Sequence, residues 1–273
     1  HGTVDLDKAI TESCDVYFYE VARRTGIENI AAMARRFGFG EALGIDLPGE
    51  HAGLVPTPKW KRRTTGKPWQ VGETLLSSIG QGYLLATPLQ LVVMMARLVN
   101  GGLAVRPRLT DTLTPDGSGP PVRRSVAKNM DIDTMHMKRV LAAMESVVNV
   151  PQGTAYKARI DVPGMKMGGK TGTVQVRRIS KAEREQGVRK NKDRPWVERD
   201  HAIFVGYVPV DAPRLAVAVI IEHGGSGSSA AAPVARDILA AAMRLGLDRA
   251  PDKTRRTKHL TRGGPRTAAD GEG

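Results

Sequence analysis

The spacing of apolar positions predicts helices at the start of the chain. Leu6 and Ile10 recur four residues apart behind Asp5, which places both on one face of a short helix with Asp5 as its N-cap. Asp15 is a suitable cap for a second amphipathic helix, and Gly26 is expected to end it. The junction between these two helices is therefore confined to a few residues.

Three later helices are predicted from patterns of different kinds. Residues 28–37 form an amphipathic repeat, and residues 131–148 carry methionine and leucine on one face, which is typical of core packing. Residues 88–99 are hydrophobic nearly all round and follow Thr87, a cap residue directly before a proline. We expect this last helix to be buried in the centre of the domain.

Short apolar runs predict an antiparallel sheet late in the chain. Residues 201–208 and 215–222 are joined by a turn with two prolines, which indicates a hairpin. Residues 166–176 are predicted to be extended, and residues 103–109 alternate like a strand. An alanine-rich helix is expected at 230–245. The pattern as a whole favours an α+β fold in which helices pack on an antiparallel sheet.

Other segments lack such periodicity. Residues 54–72 combine prolines, glycines and basic residues, so they are predicted to be an irregular surface loop, and the charged stretch 177–200 reads as a helical or mobile insertion. Residues 224–229 are rich in Gly and Ser, which predicts flexibility. The Pro, Gly, Thr and Arg content of 249–273 predicts a disordered basic tail, which leaves 1–248 as the folded part.

Composition narrows the class of protein. The chain has 273 residues, 41% of them hydrophobic but only 4% aromatic, so aliphatic side chains must form most of the core of one or two domains. The net charge is +13. Because the basic clusters accompany no zinc-finger, aromatic RNA-binding or recognition-helix pattern, we expect no nucleic-acid binding, and instead solvated loops facing an anionic membrane or acidic partner. The single cysteine excludes an intramolecular disulfide.

The stretch Lys170, Thr171, Gly172 and Thr173 carries the most distinctive chemistry. It combines a fixed cation, two hydroxyls and a glycine beside which a substrate backbone can lie closely. Such a strand edge can hold a carboxylate, pair with a peptide and direct the Thr173 N–H at a developing oxyanion. The alternative is a polar edge strand with a glycine kink.

A second candidate element is Ser13 with Asp15. Ser13 lies between the first two predicted helices, where its hydroxyl can point into a cleft. The alternative is that both residues only cap helices. A literal Ser-x-x-Lys sequence at 125–128 follows these residues, but it comes after a Pro-rich turn, and we interpret it as a chance match.

These elements occur in an order that resembles a known family. The chain is similar to the transpeptidase domain of class B penicillin-binding proteins, most closely their elongation subfamily, penicillin-binding protein 2. The resemblance rests on seven stretches in order, at 1–6, 13–15, 72–74, 79–83, 152–155, 170–173 and 200–202. It implies the β-lactamase/transpeptidase-like fold, truncated at the N-terminus, because the family's Ser-x-x-Lys nucleophile precedes the Ser13 loop.

The resemblance also implies a reaction and roles. An active-site Ser of the full-length protein attacks the penultimate D-Ala of a peptidoglycan stem peptide, and an amine of a neighbouring stem accepts the acyl group. Ser13 is implied to relay the proton to the leaving nitrogen, Asp15 to orient the loop, and Lys170 to polarise Ser13. Thr171 and Thr173 are implied to bind the terminal carboxylate. β-Lactams would acylate the full-length protein, whereas this chain by itself would not react.

No cofactor is implied for catalysis, but a zinc site is. Proteobacterial relatives carry an Asp, Asp, His and Cys set beside the active site, and His1 and Cys14 match its last two members, a ligand set that zinc accepts. The alternative is a buried thiol and a frayed terminal His. The implied setting is the periplasmic face of the inner membrane, through an anchor helix outside this sequence. The implied partners are an elongation-complex glycosyltransferase and the rod-shape scaffold.

Two other functions are kept open. A serine β-lactamase-like hydrolase would need a base that activates water, and Glu73 with the residues after it superficially resembles such a base loop. A non-catalytic module that binds β-lactams or the cell wall would lack the Ser-x-x-Lys nucleophile in its upstream sequence. Turnover of a chromogenic cephalosporin would identify the hydrolase.

Overall fold

The structure is a computed structural model, and it describes residues 1–110, 127–177, 179 and 181–247. In this part of the chain, helices surround one three-stranded antiparallel sheet. The helices are α1 (Leu6–Thr11), α2 (Asp15–Thr25), α3 (Ile27–Arg36), α4 (Pro58–Thr65), α5 (Val71–Ser78), α6 (Pro88–Val99), α7 (Thr134–Asn149), α8 (Lys181–Gln186) and α9 (Ala232–Arg244). The strands are β1 (Gly168–Val174), β2 (His201–Val208) and β3 (Leu215–Ile221), and β2 lies between the other two. None of the described helices is both long and apolar enough to cross a bilayer.

Two of the predicted caps, Asp5 and Thr87, begin helices as expected. The Asp5 carboxylate accepts a hydrogen bond from the Lys8 N–H at 2.9 Å and starts α1. Thr87 and Gln90 form a reciprocal capping box at the start of α6. The buried Gln90 amide also donates to two loop carbonyls, those of Glu41 and Ala52, and so ties α6 to the loop before α4. The predicted helix at 88–99 is confirmed as a central element.

Helices cover both faces of the sheet. Consecutive residues of a strand point to opposite faces, and in β2 every residue from Phe204 to Val208 is buried. Helices α6, α7 and α9 supply this cover, since α7 packs on β1 and both α6 and α9 pack on β2 and β3. The predicted hairpin and the α+β class are confirmed.

Glycines in the strands make room for two large rings. The Phe204 ring lies where side chains at Gly169 and Gly206 would stand, and a Cβ at Gly206 would be 2.5 Å from its Cε1 atom. The Tyr207 ring covers Gly168 in the same way, at 2.7 Å. Because Phe204 and Tyr207 are almost completely buried, these glycines complete the packing of the core beneath β1.

The prediction of an irregular loop at 54–72 is wrong. The segment contains α4 and the start of α5. Thr57 accepts a hydrogen bond from the Trp60 N–H at 3.1 Å, and Pro58 occupies the first helical position. This is the same Thr-Pro start signal that precedes α6, but the basic residues and prolines around it concealed the helix.

A buried ion pair holds α4 against α5. Lys61 is only 4% exposed, and its ammonium donates to the Pro68 carbonyl at 2.8 Å and pairs with the Glu73 carboxylate. Burial by itself would raise the pKa of Glu73, but Lys61 and the Gln70 N–H lower it below its usual value. Both charges therefore stay paired inside the α4–α5 hairpin.

Two further local predictions need correction. Asp15 does not cap α2 but is its first residue, and Cys14 is the N-cap, because the backbone reverses one residue earlier at Ser13. Residues 103–109 do not form a strand. Only Leu103 pairs, in a bridge with Asn129, and the Val105 carbonyl accepts from the Arg97 guanidinium instead of a neighbouring strand.

The remaining segments are more ordered than their composition indicates. Residues 224–229 lead into a π-helical turn, Gly227–Ala231, which packs on β1 and β2. The charged stretch 177–200 contains α8 and two 3₁₀ turns, Asn191–Asp193 and Trp196–Glu198. The predicted tail at 249–273 and the start of the Ser-x-x-Lys match at 125–128 lie outside the described residues.

The Lys61–Glu73 pair predicts an unequal response to mutation. Replacing Lys61 by Met should lower the free energy of unfolding by about 3 kcal/mol, because a largely buried carboxylate loses its partner. The double variant Lys61→Met with Glu73→Gln should recover at least half of that loss. Urea denaturation of both variants and of the unchanged chain measures the difference. Equal losses in the single and double variants would contradict the assignment of this pair as the tie between α4 and α5.

Candidate active site

Two distant segments meet at one hydrogen bond. The Lys170 ammonium donates to the Ser13 hydroxyl at 2.9 Å and to the Thr171 carbonyl at 3.1 Å. Ser13 has a φ of 56°, a left-handed backbone conformation that residues other than glycine rarely adopt. This conformation lets the chain reverse tightly between α1 and α2. This reversal turns its hydroxyl toward β1, so the structure brings together the two residues predicted to form the core of the site.

The environment of Lys170 tunes its charge. Burial lowers the pKa of Lys170 to about 8, and the nearby carboxylate of Asp15 opposes this shift. At neutral pH the side chain is therefore still a cation, but it is close to its titration point. An ammonium has three N–H donors. Two of them bind Ser13 and Thr171, which leaves one for a ligand in the cleft.

A second hydroxyl stands beside Thr171. Thr154 Oγ1 and Thr171 Oγ1 share a hydrogen bond of 2.9 Å, and the Thr154 N–H donates to the Thr11 carbonyl at 3.2 Å. Thr154 is thus held between α1 and β1 with its hydroxyl at the cleft. Sequence reasoning assigned it no role, although it lies in the stretch 152–155 that carried part of the family resemblance.

The strand β1 presents its free edge to the cleft. It pairs on one side with β2, with Thr173 opposite Ala202, and no other described strand pairs with it. The Thr173 carbonyl accepts a hydrogen bond from the Gln81 side-chain amide at 3.0 Å, so it points away from β2. In an antiparallel ladder the N–H and carbonyl of one residue face the same side. The Thr173 N–H therefore also faces the cleft, as predicted.

These groups line a cleft of about 880 Å³. Its polar lining comes from the α1–α2 junction, the end of α5, β1 and the π-helical turn. It includes Ser13, Asp15, Ser78, Gln81, Thr154, Lys170, Thr171, Thr173, Gln175, Asp200, Ser226 and Ser228.

The floor of the cleft needs a glycine at 227. A Cβ there would lie 2.5 Å from the Gly172 carbonyl oxygen and 2.9 Å from the Gly172 nitrogen. A Cβ at Gly172 itself would only make ordinary contact with Ile203, at 3.5 Å. The role predicted for Gly172, to let a substrate backbone lie close, stays a prediction.

Asp200 closes one end of the cleft. Its buried carboxylate accepts from the Asn191 amide at 3.0 Å and lies 3.4 Å from the Arg194 guanidinium. These contacts join the start of β2 to the 3₁₀ turn Asn191–Asp193. The charged insertion predicted at 177–200 therefore ends as a fixed wall of the cleft.

The residues predicted for zinc do not form a zinc site by themselves. Cys14 is buried, and His1 lies 3.9 Å from the Glu12 carboxylate. Among the described residues, no group of three or more His, Cys, Asp or Glu side chains converges as a metal site. Four ligands are the rule for structural zinc, so the zinc site stays a prediction that would need ligands from outside this sequence.

Two tryptophans, Trp60 and Trp69, make contacts around α4 and α5. Trp60 packs edge-on against Tyr83 with ring centroids 5.2 Å apart. The Trp69 indole N–H donates to the Thr74 hydroxyl at 2.8 Å. The Trp60 contact joins α4 to the segment after α5, and the Trp69 contact joins the loop before α5 to α5 itself. Gln81 follows the end of α5 and reaches the cleft.

Comparison with known proteins agrees with this geometry. Residues 1–240 match the family model of the penicillin binding protein transpeptidase domain. The chain is 39% identical over 242 residues to peptidoglycan D,D-transpeptidase MrdA of Haemophilus influenzae, and 40% identical over 245 residues to MrdA of Acinetobacter baumannii. These alignments cover 88% and 86% of this chain but 36% and 34% of the relatives. The chain thus spans about a third of the length of the curated relatives it matches.

Solved structures give the same result. A crystal structure of Pseudomonas aeruginosa PBP2 in complex with WCK 5153 is similar with a TM-score of 0.74 and 39% identity, over 87% of this chain and 49% of that one. Helicobacter pylori PBP2 in complex with MreC has a TM-score of 0.75 and 32% identity, over 90% and 41%. The predicted fold and the resemblance to penicillin-binding protein 2 are confirmed. The chain belongs to the penicillin-binding protein transpeptidase family.

Proposed function

We propose that the full-length protein is a peptidoglycan D,D-transpeptidase of cell elongation, a serine acyltransferase, and that this chain supplies its carboxylate site, proton relay and strand edge. The observation that carries the proposal is the hydrogen bond from Lys170 to Ser13 beside the free edge of β1. A cation and a relay hydroxyl next to the free edge of a strand suit a substrate that is an extended peptide with a terminal carboxylate.

In the proposed acylation step, the nucleophilic serine, expected before Ser13 in the chain, attacks the carbonyl carbon of the penultimate D-Ala. The oxyanion that forms accepts a hydrogen bond from the Thr173 N–H. The carbon–nitrogen bond to the terminal D-Ala then breaks. Ser13 donates a proton to the departing nitrogen and is reprotonated by the proton that the nucleophilic serine gave up on attack. Lys170 keeps the Ser13 hydroxyl oriented by donating to its oxygen.

The terminal carboxylate has a matching site. Thr171 and Thr173 offer hydroxyls, Thr154 adds a third beside Thr171, and the Lys170 ammonium retains one free N–H. In the second step an amine of a neighbouring stem attacks the acyl carbon, and the serine oxygen leaves with a proton. β-Lactams would acylate the nucleophilic serine in the first step. The acyl-enzyme would then persist, because no second substrate can displace their acyl group.

One contact argues against the hydrolase alternative. Glu73, the candidate for a water-activating base, is paired with Lys61 and caps the Gln70 N–H. Its side chain therefore stabilises the α4–α5 hairpin and does not line the cleft. The setting proposed for the full-length protein is the periplasmic face of the inner membrane. The proposed partners are an elongation glycosyltransferase and a rod-shape scaffold protein, in keeping with the complex of Helicobacter pylori PBP2 with MreC.

Intact mass after incubation with a penicillin tests the acylation chemistry. The full-length protein should gain the mass of one penicillin, on a serine that precedes His1, and this chain alone should gain none. An adduct on Ser13 or Ser125 of this chain would overturn the assignment of the relay. A folded full-length protein without any adduct would favour the non-catalytic module.

The lowered pKa of Lys170 predicts a pH dependence. The cation is the form that donates to Ser13, so the acylation rate of the full-length protein should fall as pH rises through about 8. Replacing Lys170 by Met should slow acylation by roughly 10²-fold. Replacing it by Arg keeps the charge at high pH, so this slower variant should lose the decline above pH 8. A Lys170→Arg profile that still declines there would assign the titration to another group.

A further inference from the structure

The end of α5 fixes the position of Gln81. The Gln81 N–H donates to the Leu76 carbonyl at 3.0 Å, and the Gly80 N–H donates to the Ser77 carbonyl at 3.1 Å. These two bonds form a Schellman motif, in which the residue after the cap needs a left-handed backbone. Gly80 meets that need with a φ of 75°. The backbone of Gln81 is therefore anchored, while its side chain extends from the helix end toward β1.

The Gln81 amide occupies a backbone acceptor on the free edge of β1. On this edge the Thr171 carbonyl accepts from Lys170 and the Thr173 carbonyl accepts from Gln81. The Lys170 contact is between neighbours in the chain. The Gln81 contact crosses the cleft from a different element and is exposed at its rim, so it can be exchanged for another donor.

An added peptide strand would need that same acceptor. A segment that pairs with the edge of a sheet forms main-chain hydrogen bonds to the outward N–H and carbonyl groups of the edge strand. On β1 the outward pair at the oxyanion position belongs to Thr173. A carbonyl oxygen has two lone pairs, but a substrate N–H in the ladder geometry approaches from the cleft, where the side-chain N–H of Gln81 already lies. The two donors therefore compete for the same position.

We propose that Gln81 is a placeholder for the substrate: its amide holds the Thr173 carbonyl while the cleft is empty and must be displaced before a peptide-like ligand pairs with β1. The proposal rests on the proposed function. Gln81 thereby lowers the apparent affinity for every ligand that pairs with this carbonyl, and it does not act on the chemical step. Ligands that do not reach the carbonyl are unaffected.

Removing the amide tests the placeholder. In the full-length protein, Gln81→Met keeps the length of the side chain but removes its donor. We expect the second-order rate of acylation by a penicillin with an acylamino side chain to rise by about 2- to 10-fold, the worth of one exposed hydrogen bond. The gain should lie in the apparent dissociation constant, with the limiting acylation rate unchanged.

Two controls separate the placeholder from a purely structural tie. A β-lactam of the same ring system without the acylamino side chain has no N–H to offer Thr173, so Gln81→Met should leave its rate unchanged. Gln186→Met, on the exposed surface of α8, makes the same chemical change away from the cleft and should alter neither rate.

Each remaining outcome of the test is informative. Slower acylation by both β-lactams would show that Gln81 instead holds α5 and β1 in their working positions. Equal acylation rates of the unchanged protein and of Gln81→Met by the penicillin with an acylamino side chain would show that the Gln81 contact does not compete with ligands. Either result overturns the placeholder. Failure of the unchanged full-length protein to acylate at all would count against the proposed function and is seen before any variant is compared.

Discussion

The site depends on keeping one ammonium group charged inside a protein cleft. Burial disfavours the cation of Lys170, and its pKa falls to about 8. Three features offset this cost: the Ser13 hydroxyl, the Thr171 carbonyl and the nearby charge of Asp15. Ser13 and Asp15 can act only if the α1–α2 junction lies against β1. The packing of α1 on α7 and of α7 on β1 provides that placement, so the helical layer sets the electrostatics of the cleft.

A second constraint is the open edge of the sheet. An unpaired edge strand attracts other strands, and proteins usually protect it with charges or covering side chains. Here a lysine and a glutamine fulfil that role from inside the cleft, since Lys170 and Gln81 occupy the outward carbonyls of Thr171 and Thr173. These two contacts occupy acceptors that another strand would otherwise use. The same two side chains that protect the strand would also control what binds to it.

The sequence predicted those elements that are specified by a few adjacent residues. The caps Asp5 and Thr87 and the hairpin of β2 and β3 follow from a few adjacent residues, and each is found where expected. The helix α4 was missed because its Thr57 cap stands among prolines and basic residues, and its stability comes from a pairing of Lys61 with a residue twelve positions later. Sequence composition carries no information on such a contact.

The residues of the candidate site also fall into two groups, those with a local sequence signal and those without one. Lys170 and Ser13 could be predicted because each stands in a recognisable short motif, and the fold then joins them across 157 positions. Thr154 and Gln81 lie in stretches that carried only the family resemblance. Their roles come from partners on β1, Thr171 and Thr173, that are 17 and 92 positions away. A residue whose function is to contact another strand has no local signature of that function.

The carboxylates of the cleft bear on whether an acyl group bound to the enzyme is transferred to an amine or hydrolysed. Hydrolysis of an acyl-enzyme needs a base that can take a proton from water. In the described lining, Asp200 is buried with Asn191 and Arg194, and the charge of Asp15 favours the Lys170 cation. Asp200 is therefore not free to take a proton from water, which agrees with the proposed transfer of the acyl group to an amine of a neighbouring stem.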